Sequence, residues 1–146
     1  MTASVKAFDL IRRFEGLRLE AYQDVVGVWT VGFGTTRGVE PGMVITKEQA
    51  EAMLRTEVAR IEQMIDGMIT APVTRGQFDA CVSFAYNLGC GNLMKSTVLK
   101  KVNARDPSAA AEFLRWDRAG GKVLAGLTRR RQAERELFIE VAEVTA

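Results

Sequence analysis

The apolar residues Ala50, Met53, Leu54, Val58, Ile61, Ile65 and Met68 recur at helical spacing and fall on one stripe. In front of them Thr46, with Gln49 three residues on, makes a capping box, so the pattern predicts one long helix from about Lys47 to Met68. No other feature constrains the fold as much. The stripe has to be buried along its length, and the chain before it differs in kind from the chain after it, so the helix reads as a connection between two unlike parts.

On the amino-terminal side, Val5, Phe8, Ile11 and Phe14 recur at a spacing of three, which predicts a helix from Ser4 to Glu15 with Gly16 as a left-handed cap. Between Tyr22 and Thr36 the period changes to two. Trp29, Val31 and Phe33 fall on one face and Thr30, Gly32 and Gly34 on the other, which predicts a small antiparallel sheet. Its glycine-bearing face permits close approach of backbone or ligand. Gly38, Pro41 and Gly42 mark turns leading into the long helix.

The carboxyl-terminal side reads as helix throughout. Pro72 precedes a second capping box, Thr74 with Gln77, and the helix it opens carries Phe78, Cys81, Val82 and Ala85 and stops near Gly89. One helix is expected through LMKSTVLKKVN. Asp106 and Pro107 make an N-cap and first-turn pair for SAAAEFLRW, Gly120 and Gly121 break that helix, and Thr128 opens a last one through RRRQAERELFIEV. The expectation is an α+β protein forming one domain over residues 1–146. It divides into a small α/β lobe at about 1–45, a connecting helix at about 46–72 and a larger helical lobe at about 73–146. Clefts between such lobes are where substrates tend to bind.

Composition narrows the chemistry. The 146 residues, 47% of them hydrophobic, are enough for one real core. There is no histidine, which removes Ser-His-Asp and Cys-His catalysis and the commonest zinc ligand together, so acid/base work falls to carboxylates. Cys81 and Cys90 are too few for a disulfide framework and read as buried or free thiols. No metal site and no cofactor is expected. No apolar run approaches a bilayer span, and the first residues read as an amphipathic helix rather than a signal peptide. The expectation is a protein made in the cytoplasm, without stable membrane insertion.

The formal net charge of +2 is unevenly placed. Residues 95–135 hold 11 Lys/Arg against 4 Asp/Glu, a balance of +7, and the rest of the chain holds 9 against 14, a balance of −5. A basic half can attract an anionic polymer, nucleic acid or cell wall, or consist of ordinary solvated helix faces. No recognisable DNA-reading motif accompanies the arginine run and the acidic portion opposes one, so no nucleic-acid partner is expected.

Hydrolysis of a glycosidic bond needs one carboxylic acid to protonate the leaving oxygen and a second carboxylate to activate water or attack carbon. Glu15, at a helix end beside Phe14, suits the acid, with apolar neighbours favouring its neutral form. Asp24, in the first turn of the sheet, suits the ionised partner, and Thr30 has a hydroxyl to orient a water. Taken singly, the three have ordinary structural roles as a helix-end charge, a turn former and a β-branched strand residue.

Together with their surroundings they resemble a known family. E-G-L-R-L-x-A-Y-x-D followed by a strand with T-V-G-x-G is similar to the phage-type lysozymes, the endolysins of the T4 lysozyme family, including the spacing from Glu15 to Asp24 to Thr30. The resemblance continues through RGQFDACVSFAYNLGCGNLMKSTVLKKVN and AAAEFLRWDRAGGKVLAGLTRRRQAERELF, covering nearly the whole chain. It implies a lysozyme-like fold and a muramidase that cleaves the β-1,4 bond between N-acetylmuramic acid and N-acetylglucosamine in bacterial peptidoglycan with inversion.

By the same resemblance Glu15 is the general acid, and Asp24 and Thr30 hold the attacking water. Tyr86 and Asn87 would bind sugar, unless Tyr86 is core and Asn87 a helix-end polar residue. Arg130 would pair with the catalytic glutamate, while the run Arg129 to Arg131 otherwise reads as a solvated face or a contact to the anionic wall. Trp116 reads as core. The resemblance also implies a monomer, released from the host cytoplasm to the periplasm and cell wall by a separate holin-like protein. Two other readings stand beside hydrolysis: a lytic transglycosylase working with one glutamate, and a wall-binding module without turnover. The chain departs from the family pattern at Thr35, where many relatives carry histidine, and at Ala125, where L-P-G-L is common.

Overall fold

The computed structural model describes residues 1–140. Helix α1 (Val5–Glu15) is followed by strands β1 (Arg18–Gln23) and β2 (Trp29–Gly32), then α2 (Lys47–Met68) and α3 (Arg75–Leu88). After these come α4 (Cys90–Lys95), α5 (Thr97–Asn103), α6 (Ala109–Glu112) with a 3-10 turn over Phe113–Arg115, the short strands β3 (Arg118–Ala119) and β4 (Lys122–Val123), and α7 (Ala125–Ile139). The fold is the α+β arrangement that the change of period predicts.

Both capping boxes form: Thr46 and Thr74 accept from the amides of Gln49 and Gln77, and each glutamine side chain accepts in return from its cap residue's amide. The stripe of α2 is buried at Ala50, Leu54, Val58, Ile61 and Ile65, against β2, α3 and α4. One core therefore runs from Val31 and Phe33 beside the sheet to Phe113 and Phe138 in the helical part, with Cys81 and Cys90 buried as free thiols. Burial pushes the Cys81 thiol up to about 12, so it is an inert core residue. Helix α3 is the centre of the helical part, packed on α1, α2, α4 and α7. Trp116 stacks edge-on against Phe84, ring centroids 5.4 Å apart.

Several boundaries differ from the sequence expectation, each for a local reason. The sheet begins at Arg18 rather than Tyr22, because β1 has little burial and no alternation to read; its start is fixed by distant partners, β2 on one side and a bridge from Glu20 to Val44 on the other. Strand β2 ends at Gly32, where the chain folds back so that Val31 and Thr35 exchange both backbone hydrogen bonds at 2.9 Å. Gly32 faces Ala50 and Ile45 rather than an open cleft. The single helix expected over LMKSTVLKKVN is two, divided at Ser96, whose hydroxyl donates to the Leu93 carbonyl and accepts from the Leu99 amide.

Asp106 accepts from the amide and hydroxyl of Ser108, but the N-cap position of α6 is Ser108. Gly120 and Gly121 do break the chain direction: both take positive φ, 58° and 78°, and form the two-residue turn of the β3–β4 hairpin. The last helix starts at Ala125, one turn before Thr128, and stops at Ile139 because Glu140 is extended, while Val141 of the expected range lies outside the described residues.

Ala125 occupies the first helical position of α7, where an amide has no intrahelical partner and proline fits. The preceding Leu124 is extended, φ −108° and ψ 127°, as a residue before proline must be. Ala125→Pro is therefore expected to stabilise the protein by about 0.4–1 kcal/mol, chiefly by restricting the unfolded chain. Chemical denaturation should show a higher midpoint with an unchanged slope, and a lower midpoint would refute this reading of the helix start.

Candidate active site

Glu15 is the last residue of α1, which Gly16 terminates by turning the chain and returning its amide to the Arg12 carbonyl at 3.0 Å. The carboxylate is held from two sides. Nη1 of Arg130 lies 2.6 Å from its Oε2, and Gly34 passes close against the rest of it. A Cβ at position 34 would meet Glu15 Oε1 at 2.4 Å, and Gly34 also takes φ +76°, where side chains are strained. Glycine is thus required there twice over. Gly34→Ala should displace the Glu15 carboxylate and lower activity by about 100-fold, as misplacement of a catalytic group by about 1 Å can. Turnover assayed beside a near-native circular dichroism spectrum tests this, and unchanged turnover would show that the close contact does not position Glu15.

Asp24 opens the loop between β1 and β2. Its Oδ1 accepts from the amides of Val26 at 3.0 Å and Val28 at 2.8 Å, a turn that aspartate forms readily. Among the described residues its Oδ2 accepts no hydrogen bond. Thr30, opposite Tyr22 in the sheet register, is 5% exposed and donates its hydroxyl to the Val28 carbonyl at 3.0 Å. With its proton committed, the Thr30 oxygen keeps lone pairs for another donor. Two acceptors, one anionic and one neutral, therefore belong to the same hairpin.

A cleft of about 550 Å³ brings Glu15, Asp24 and Thr30 together, with Tyr22, Gly34, Thr36, Tyr86 and Asn87 also in its lining. Its remaining walls include Arg37 and Arg60, both ion-paired to Glu57. Tyr86 donates to the Phe33 carbonyl at 2.5 Å, so it ties the end of α3 to the turn after β2. Burial, reinforced by the charge of Glu15, raises its hydroxyl above the ordinary tyrosine range, which keeps it a neutral donor. Asn87 gives its Oδ1 to Nη2 of Arg131 at 2.8 Å, which leaves its amide nitrogen as a donor at the cleft.

Beneath the cleft lies a charged network of which the sequence analysis anticipated only the pairing of Arg130 with Glu15, through the family resemblance. Arg130 and Arg131 are 3% and 0% exposed, so only Arg129 of the run is a solvated residue. Arg130 also donates to the Ser83 carbonyl at 3.2 Å, and Arg131 lies 2.7 Å from the wholly buried Glu134, which accepts a 2.6 Å hydrogen bond from Ser83. The i, i+3 spacing of Arg131 and Glu134 was the available signal, but it reads equally as a surface pair. Thr35 is buried, with its hydroxyl beside that of Tyr86. No cluster of three or more Cys, Asp or Glu suited to a metal ion occurs among the described residues.

The family model for phage lysozyme matches residues 12–134, a span that includes Glu15, Asp24, Thr30, Tyr86, Asn87 and Arg130. The chain is 47% identical over 143 residues to the endolysin of Acyrthosiphon pisum secondary endosymbiont phage 1, covering 94% of this chain and 98% of that protein. It is 45% identical over 143 residues to the endolysin of Bacillus phage B103, covering 95% of this chain but 54% of that longer protein. Among solved structures it is similar to the muramidase domain of SpmX from Asticaccaulis excentricus, with a TM-score of 0.89, 36% identity and coverage of 96% of this chain and 99% of that one. The chain belongs to the phage lysozyme family, and it is accordingly a glycoside hydrolase with the lysozyme-like fold.

Proposed function

We propose that this lysozyme hydrolyses the β-1,4 bond between N-acetylmuramic acid and N-acetylglucosamine in bacterial peptidoglycan. Glu15 protonates the leaving oxygen, Asp24 takes a proton from the attacking water, and Thr30 orients that water. The observation that carries this reading is one cleft lined by a carboxyl clamped between Arg130 and Gly34 and by the two free acceptors of a single hairpin. A water held by Asp24 Oδ2 and Thr30 attacks from the side away from Glu15, so the configuration at the sugar carbon inverts. Tyr86 shapes the cleft wall, and the Asn87 amide is placed to donate to an N-acetyl carbonyl.

We read residues 1–146 as one domain of two lobes joined through α2, with α1 packed on the helical side. The protein acts as a monomer on the cell wall, for host lysis, after a separate holin-like protein gives it access from the host cytoplasm. No helix among the described residues is long and apolar enough to cross a membrane.

Product analysis tests the chemistry. Digestion of purified sacculi should release muropeptides with reducing N-acetylmuramic acid ends, and NMR early in the reaction should detect the α-anomer first. Anhydromuramic ends would replace hydrolysis with lytic transglycosylation. Initial β-anomer would overturn inversion, and a wall that binds the protein but releases no fragment would overturn turnover.

A further inference from the structure

The charged layer beneath the cleft is a chain of alternating sign that ends at Glu15. Arg130 holds Glu15 Oε2 on Nη1 at 2.6 Å and the Ser83 carbonyl on Nη2 at 3.2 Å, and its Nε lies 3.5 Å from Glu134 Oε2. Glu134 is in turn 2.7 Å from Nε of Arg131 and takes a 2.6 Å hydrogen bond from the Ser83 hydroxyl. Arg130, Arg131 and Glu134 are all buried, whereas Glu15 reaches the cleft. Glu134 thus meets two guanidiniums, and one of them is the group that grips the proposed acid.

A general acid has to hold its proton at the working pH. Arg130 alone opposes that, because a guanidinium 2.6 Å away favours the ionised carboxylate. Glu134 works the other way through the same guanidinium: its negative charge offsets Arg130 from the far edge, in surroundings too dry for water to screen it. Burial by itself would neutralise Glu134, but two guanidiniums and the Ser83 hydroxyl favour its charged form. While Glu15 keeps its proton, the two arginines and Glu134 leave the chain at +1. Without Glu134 that charge would be +2, and the proton would leave more readily. The remaining charged groups at Glu15 do not replace this offset. Arg37, Glu57 and Arg60 across the cleft are ion-paired, Tyr86 of α3 is neutral, and Arg13 of α1 and Arg129 of α7 are exposed cations. Asp24 of the hairpin is negative but stands in the open cleft, where solvent screens it. Facing Glu134 from α3, besides Ser83, is the neutral thiol of Cys81.

Resting on the reading of Glu15 as the acid, we infer that Glu134 is a positioning residue of the reaction: it limits the charge that Arg130 brings to Glu15, so that the acid stays clamped and still keeps its proton near neutral pH. Arg131 completes the arrangement by holding Glu134 charged in the core. Its other nitrogen, Nη2, donates to Asn87 Oδ1 at 2.8 Å, so one buried pair serves both the acid and the cleft amide.

The test is the pH dependence of kcat/KM on soluble, uncross-linked peptidoglycan strands at fixed ionic strength, where the basic limb reports loss of the acid's proton in the free enzyme. Glu134→Gln, nearly isosteric but uncharged, should lower that limb by about one pH unit. Above both limbs kcat/KM then falls about tenfold, while the plateau at lower pH stays within about threefold of wild type. Glu134→Asp keeps the charge and should leave the limb within about 0.3 pH unit of wild type. Arg131→Met disturbs the same buried pair but deletes positive charge, and should not lower the limb. Each variant is also made in the Ala125→Pro background, and a thermal melt confirms that the protein assayed is folded. A limb that Glu134→Gln leaves in place overturns the inference alone. A fall in Glu134→Asp as large as in Glu134→Gln, or a fall in Arg131→Met, would tie the limb to lost packing and overturn the role assigned to charge. A wild type that cleaves no strand, or cleaves with no basic limb, removes Glu15 from the acid role first and this inference with it.

Discussion

Glu15→Gln is expected to lower kcat on peptidoglycan by about 10²–10⁴-fold, the usual contribution of a positioned general acid. The substitution separates chemistry from architecture unusually well at this position. Glutamine is nearly isosteric, so the close approach of Gly34 is retained, and its amide oxygen can still accept from Nη1 of Arg130. Nor is Arg130 left without a carboxylate, since its Nε lies 3.5 Å from Glu134. KM and thermal stability should therefore change little while turnover collapses. Initial rates of muropeptide release together with a thermal melt make the measurement. Turnover within tenfold of wild type would remove Glu15 from the acid role, and a collapse accompanied by a large loss of stability would show that the Arg130 contact is structural first.

How far the sequence announces this site depends on how local each interaction is. Helices α2 and α3 were legible to within a residue because a capping box is a four-residue device and an apolar stripe repeats. Asp24 was legible as a turn former for the same reason, since its hydrogen bonds go to residues two and four positions on. The break at Ser96 was not, because serine caps a helix as readily as it sits inside one until the Leu93 carbonyl is known to take its proton.

The contacts that hold Glu15 were not legible in local pattern, and the Arg130 pairing came only through the family resemblance. Arg130 is 115 positions away in sequence, and Gly34 looked like one of two small residues leaving room for ligand when it actually leaves room for a carboxylate. An arginine run with no tertiary context reads as solvated surface. Only folding brings a carboxylate to each of Arg130 and Arg131.

The largest expected effect on stability lies in the pair Arg131 and Glu134. Both side chains are wholly buried, so neither charge can be recovered by water if the other is removed. Burial pushes the Glu134 carboxyl up and the Arg131 guanidinium down, each opposed by attraction to the other. Arg131→Met should cost about 3–5 kcal/mol because Glu134 loses its 2.7 Å partner, and Glu134→Leu should cost a similar amount because Arg131 is stranded beneath Phe84.

The double variant Arg131→Met/Glu134→Leu should be more stable than either single one, since two apolar side chains need no partner. Activity should not follow stability. Asn87 loses the 2.8 Å donor that fixes its amide, so the double variant should regain its denaturation midpoint while KM stays raised. Urea denaturation and steady-state kinetics on the three variants decide the matter. Additive losses of stability would mean that the two charges are not coupled, and a normal KM in the double variant would mean that Arg131 does not orient Asn87.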